Sequence, residues 1–135
     1  MKAPQEIIKA MMSEDKFSQW LGVSVVSIKE GQCTLMCKVT EDMVNGFNVA
    51  HGGISYSLSD STMAFASNSY GLKCMSIETS ISHLRKINLG DTLMSHATEI
   101  KRGKSLAIYE VRIFNQLEEM VSHFKGTVKI SENRW

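Results

Sequence analysis

Between Gly53 and Lys73 the chain carries one charge, Asp60. The rest of that run is small or apolar, with Ile54, Leu58, Met63, Ala64, Phe65 and Ala66 spaced along it. About 16 residues without a breaker exceed an ordinary strand and suit a helix. Gly71 is placed to stop it, after about Tyr70. A helix this poor in charge has to be covered by the remainder of the chain. It is entered from Asn45-Gly46-Phe47-Asn48-Val49-Ala50, a loop that runs into His51-Gly52-Gly53.

Two features of this run bear on chemistry. The first turn of a helix has unpaired N–H groups and a partial positive charge. Glycines at that turn let a ligand oxygen approach the backbone, so Gly52 and Gly53 offer a place for a developing oxyanion. A lone carboxylate on an apolar helix is costly to bury and calls for a reason. Sequence alone leaves other readings open. His51-Gly52-Gly53 is equally a plain turn before a helix. Asp60 is equally a group on a solvated face, or a partner for a buried hydroxyl. Spacing adds one constraint. Eight residues at about 1.5 Å each set Gly52 and Asp60 ~12 Å apart. One helix cannot readily bring both to a single carbonyl, whereas two antiparallel copies can. If this is an active site, a symmetric dimer with shared sites is expected.

The flanking chain reads as follows. Residues 5–12 form an amphipathic helix with Ile7, Ile8, Met11 and Met12 on one side, and Pro4 lies outside every element. Ser13 caps a second turn through Phe17 and Trp20, which Gly22 ends. The period then changes to that of strands, at residues 23–28 and 32–39. Beyond Gly71 the chain is almost entirely strand. Residues 74–86 place Ile77, Thr79 and Ile81 on one face. Residues 92–100, 105–114 and 120–130 follow, with Ala107, Tyr109, Val111 and Ile113 alternating in the second of these. Short connections at 88–91, 102–104 and 115–118 argue an antiparallel sheet beside one long helix, an α+β arrangement.

Several classes are excluded. With 43% apolar and 21% charged residues the chain is globular, and 135 residues suit one domain. A net charge of +1, and basic residues that do not alternate with exposed aromatics, give no footprint for nucleic acid. Neither a signal peptide nor a membrane span is visible. Cys33, Cys37 and Cys74 are odd in number and form no C-x-x-C, so they are expected as core residues in a reducing cytoplasm. His51, His83, His96 and His123 lack ligand spacing, so no metal site is expected. Gly53-Ile54-Ser55-Tyr56-Ser57 is not a nucleophile elbow, and Gly103-Lys104-Ser105 lacks the first glycine of a phosphate loop.

Asn45-Gly46, His51-Gly52-Gly53 and Asp60, in that order, resemble the signature of hotdog-fold acyl-CoA thioesterases of the PaaI-like branch. Downstream, Ile81-Ser82-His83-Leu84-Arg85, Gly90-Asp91-Thr92-Leu93, Arg102-Gly103-Lys104 and Lys125-Gly126-Thr127-Val128 agree, so the likeness spans about residues 20–130. It implies one hotdog domain over residues 1–135: a helical segment at 1–21, then a core at 22–131. In that core a long central helix is wrapped by a curved antiparallel sheet of about five to six strands. It also implies a homodimer with shared active sites that goes on to a dimer of dimers.

By the same resemblance Asp60 is general base or nucleophile, and the Gly52 N–H of the facing subunit polarises the thioester carbonyl. Asn45 positions the carbonyl or the water, His51 supports the loop, and Ser76 holds the water. Gly53, Tyr56, Met63 and His83 border the substrate. Arg102 and Lys104 meet the coenzyme A phosphates. Coenzyme A enters as substrate, and no cofactor is implied. Burial should raise the Asp60 pKa, with a helix dipole or an Asn donor opposing it.

Departures are confined to details. Ala64 replaces a Thr of another branch, which leaves water orientation to Ser76 or Asn45. His83 stands where Phe is frequent and Lys86 where Pro is frequent, both near the expected acyl end. Two other classes share the fold. A non-catalytic acyl-CoA-binding module would lack the acid. A hotdog dehydratase would pair a His with an acid across the interface.

Overall fold

The computed structural model describes residues 2–135. Its organising element is α3, Gly52–Asn68. Ile54, Leu58, Met63, Phe65 and Ala66 on it are buried, as are Ser55, Ser59 and Thr62. The small hydroxyl residues let the sheet approach closely; Ser55 and Thr62 keep their hydroxyls partnered, whereas the buried Ser59 Oγ has no partner among the described residues. Thr62 Oγ1 donates to Leu58 O at 2.6 Å and lies 2.8 Å from Ser95 Oγ on the facing strand. The helix ends at Asn68, two residues earlier than expected from the sequence. Asn68 is why: its Oδ1 accepts from Cys74 N and from Trp135 Nε1, which pins the next strand and the chain end to the helix terminus.

Six antiparallel strands wrap α3: β1 Ser24–Lys29, β2 Gln32–Lys38, β3 Leu72–His83, β4 Thr92–Arg102, β5 Leu106–Phe114 and β6 Met120–Arg134. Their spatial order is β1-β2-β4-β5-β6-β3, so β1 and β3 are the edges. Alternation sets the inner face. Leu35 on β2, Leu93 on β4, Tyr109, Val111 and Ile113 on β5, and Phe124 and Val128 on β6 all point to the helix and are buried. Cys33 and Cys37 share that face as small apolar groups, and burial pushes their thiols up to about 12 and about 11.

Strand β3 departs from the expected pattern. Its pairing with β6 slips between Ser76 and Glu78, so Ile77 is an extra, bulged residue and is mostly exposed. The bulge changes the phase of the strand. Cys74 and Ser76 before it, and Thr79 and Ile81 after it, oppose the inward positions Ile130, Val128, Gly126 and Phe124. The expectation that Ile77 shares a face with Thr79 and Ile81 is therefore corrected.

Two more corrections fall at the N-terminal end. Pro4 is not outside the elements; it opens α1, Pro4–Glu14, where a missing N–H costs nothing. The cap of α2, Lys16–Leu21, is Asp15 rather than Ser13, with Asp15 Oδ1 accepting from Ser18 N at 3.0 Å. Gly22 closes α2 with φ +72°, a left-handed geometry that a residue with a Cβ adopts at a cost. Both short helices pack against α3, and α1 also against β1, with Ile7, Ile8 and Leu21 buried.

Candidate active site

The N-terminal end of α3 is built by the loop before it. Asn45 Oδ1 accepts from Phe47 N at 2.9 Å and from Val49 N at 3.4 Å, which folds the loop back on itself. His51 N donates to Met43 O, and Ala50 N to Ile87 O. His51 then caps the helix, its Nδ1 accepting from Gly53 N at 2.8 Å. Ile54 N bonds His51 O. Of the first three helical amides this leaves the Gly52 N–H, which has no partner among the described residues. It faces a cleft of about 330 Å³ that Ser55, His83, Arg85 and Lys86 also line.

Asp60 lies two turns further along, on the half-buried side of α3 with Tyr56, Ser57, Ser61 and Ala64. Its carboxylate opens on a second cleft, about 210 Å³, with Met63, Ala64, Ser67, Cys74 and Ser76 in the wall. No hydrogen bond or ion pair to Asp60 exists among the described residues. Burial pushes its pKa up, and the negative charge of Asp15 adds to that. No Asn donor reaches Asp60 among the described residues; Asn45 is held in the loop before α3 by the bonds its side-chain oxygen accepts from Phe47 N and Val49 N. Asp15 reaches the neighbourhood through Ser18, whose Oγ is 2.6 Å from Asp15 Oδ2 and 2.8 Å from Ser61 Oγ.

The sequence-expected residues therefore fall into two groups. Gly52, Gly53, His51 and His83 gather at the helix N-terminus. Asp60, Met63 and Ser76 gather at the middle. The two clefts share no lining residue, as expected from the ~12 Å between Gly52 and Asp60 along the helix. Tyr56 borders neither cleft; its hydroxyl bonds Thr79 Oγ1 and its ring stands edge-on to Phe124.

His83 lies over the first turn of α3. Arg102 is corrected. Its guanidinium is turned inward, 3.9 Å over the Tyr70 ring and within 3.8 Å of Glu99 and 3.4 Å of both Ser67 O and Tyr109 Oη. It is a structural cation rather than an open phosphate contact. Lys104 remains exposed on the hairpin. Sequence reasoning missed Ser55, whose role depends on His83 reaching it from β3, and Asp15, which only the packing of α2 on α3 brings near Asp60.

A long helix held in one six-stranded antiparallel sheet is the architecture of the hotdog class of α+β proteins. A family model described as the thioesterase superfamily matches residues 47–121. The acyl-coenzyme A thioesterase PaaI of Escherichia coli (strain K12) is 36% identical over 117 residues, covering 87% of this chain and 84% of that protein. Acyl-coenzyme A thioesterase 13 of Homo sapiens is 32% identical over 115 residues, covering 83% and 82%. The solved structure of the E. coli PaaI protein from the phenylacetic acid degradation operon superposes with a TM-score of 0.95 and 32% identity, across 97% of this chain and 95% of that one. The chain belongs to the thioesterase superfamily, and it is a thioester hydrolase.

Proposed function

We propose that this protein hydrolyses a fatty or aryl acyl-CoA to the free acid and coenzyme A, in a homodimer whose sites are shared between chains. One observation carries the reading. The free Gly52 amide and the unpartnered Asp60 carboxylate open on separate clefts of one chain, so each cleft is half of a site. The relatives' names, acyl-coenzyme A thioesterases, support the substrate class.

In the composite site the thioester carbonyl oxygen rests on the Gly52 N–H of one protomer. Asp60 of its partner takes a proton from a water that Ser76 helps to hold. Oxygen attacks the carbonyl carbon, the carbonyl π pair moves to oxygen, and collapse expels the thiolate. A fixed amide donor at a helix start is typically worth a few kcal/mol to such an oxyanion. The chemistry is general-base catalysis here because a hydroxyl, Ser76, shares the cleft with the acid and offers the water a second anchor.

Pairing of the chains is supported by the open edge of β3, where Met75 and Ile77 are exposed, and by the small residues around Asp60 on α3. Two such dimers joining into a tetramer is part of the proposal, as is folding of residues 1–135 as one domain. Lys104 stays a candidate phosphate contact, and Lys86, which lines the Gly52 cleft, is a second. The three free thiols suit a reducing cytoplasm. A thiol-release assay across short, long and aryl acyl-CoAs tests the reading. Release from at least one class, lost in Asp60→Ala, is expected. Tight binding without release, or hydration of an enoyl-CoA, contradicts it.

A further inference from the structure

His83 is the last residue of β3, and its backbone is fixed on both sides. It pairs with Ser122 on β6, and the following Leu84 N–H bonds Val121 O at 2.9 Å. The side chain is thereby aimed over the first turn of α3. Its Nε2 lies 3.3 Å from the point where a Cβ on Gly52 would stand. Its Nδ1 is 3.4 Å from Ser55 Oγ, on a serine only 1% exposed. Both His83 and Gly52 face the same cleft. Packing does not require this arrangement, because His83 itself is exposed.

Ser55 decides what the imidazole presents. Its Oγ has two acceptors at equal distance, Gly52 O at 3.4 Å and His83 Nδ1 at 3.4 Å. One hydroxyl hydrogen serves one of them at a time. When it goes to Gly52 O, Nδ1 is the ring donor and Nε2 offers a lone pair. When it turns to Nδ1, the ring proton sits on Nε2 and faces the Gly52 end of the cleft. A hydroxyl rotation is thus enough to set the tautomer.

We propose that His83 Nε2–H is a second hydrogen-bond donor to the substrate's thioester carbonyl, beside the Gly52 N–H, with Ser55 as the positioning residue that holds the tautomer. This rests on the reading of Gly52 as oxyanion donor given above. In the hydrolytic step the water oxygen bonds to the carbonyl carbon and its proton goes to Asp60 of the partner protomer. The carbonyl π pair moves to the oxygen, where the two N–H groups receive it. Collapse restores the carbonyl, breaks the carbon–sulfur bond, and the departing thiolate recovers the proton. The imidazole keeps its own proton throughout, so its contribution is to the charge that develops on oxygen.

The test is steady-state thiol release by the full-length chain and its variants His83→Phe, His83→Gln, Ser55→Ala and Ser55→Ala/His83→Phe, with Asp60→Ala beside them. His83→Phe keeps a ring and removes the donor; it should lower kcat about 10- to 100-fold with KM changed less than about threefold. His83→Gln restores an N–H and should recover most of kcat. Ser55→Ala should lower kcat several-fold alone and add nothing to His83→Phe. Wild-type kcat in His83→Phe, a change in KM alone, or a His83→Gln as slow as His83→Phe each overturns the proposal while Asp60→Ala remains inactive and the thioesterase reading stands. Absence of thiol release from the unaltered chain with every acyl-CoA overturns both.

Discussion

The two ends of the proposed site are stabilised in opposite ways. At the start of α3 nearly every polar group is held: Asn45 folds the loop, His51 caps the helix, and Ile54 N bonds His51 O, which leaves one amide free by geometry. At the middle of the same helix Asp60 has no partner among the described residues, and burial works against its charge. The first region is a donor fixed by the backbone fold. The second is a side chain kept where folding alone would not favour it, as expected for a group retained for chemistry. Changes at the start should therefore affect stability and rate together, while changes at Asp60 should trade one against the other.

The largest expected effect separates them most cleanly. Asp60→Ala should lower kcat by roughly 10²–10⁴-fold with the oligomer intact, read by thiol release and by light scattering. Gly52→Pro is the matching change at the helix start. Gly52 is the first helical residue and His51 before it has ψ 141°, so the backbone accepts proline there; the change removes the N–H and sets ring carbons about 3.3 Å from His83 Nε2, which must give way slightly. A fall in kcat of roughly 10²-fold is expected with the helical circular dichroism unchanged. Wild-type turnover in this variant would make the helix start a mere cap.

His51→Ala removes a cap and should cost about 1 kcal/mol in urea unfolding, with kcat lowered as the loop loosens. Asp60→Asn should do the reverse. A carboxyl whose pKa is raised by folding binds its proton more tightly in the native state. Native stability then declines as pH rises from the unfolded value near 3.9 through the raised one. The Asn variant should melt higher than the parent at pH 7.5, with the gap closing at pH 4. The same shift places the acid limb of the rate profile above the ordinary carboxylate range. Equal melting temperatures at both pH values would mean that Asp60 is solvated after all.

The comparison also shows what a sequence displays and what it hides. The charge-poor run of α3, the alternation of Ala107, Tyr109, Val111 and Ile113, and the glycines before Ile54 are local signals, so the fold and the two candidates, Gly52 and Asp60, are legible in the sequence. Ile77 was misplaced because a bulge depends on pairing with β6, which local alternation does not report. Arg102 reads as a surface hairpin charge until Tyr70, Glu99 and Tyr109 are brought around it from three other positions in the chain. The place of His83 over the first turn of α3 is hidden likewise, because strand position fixes a residue's register but not the helix turn beneath it.

Sharing of the site between chains is tested most directly by mixing. Asp60→Ala and Gly52→Pro chains, each slowed about 100-fold or more alone, are unfolded together at equal concentration and refolded. Half of the resulting dimers contain one of each, and each of these holds one intact site. Recovery of about a quarter of the parent's specific activity is the result this account predicts, from twofold symmetry alone. No recovery, with hybrid dimers confirmed by native mass spectrometry, would show that Gly52 and Asp60 do not meet across the interface.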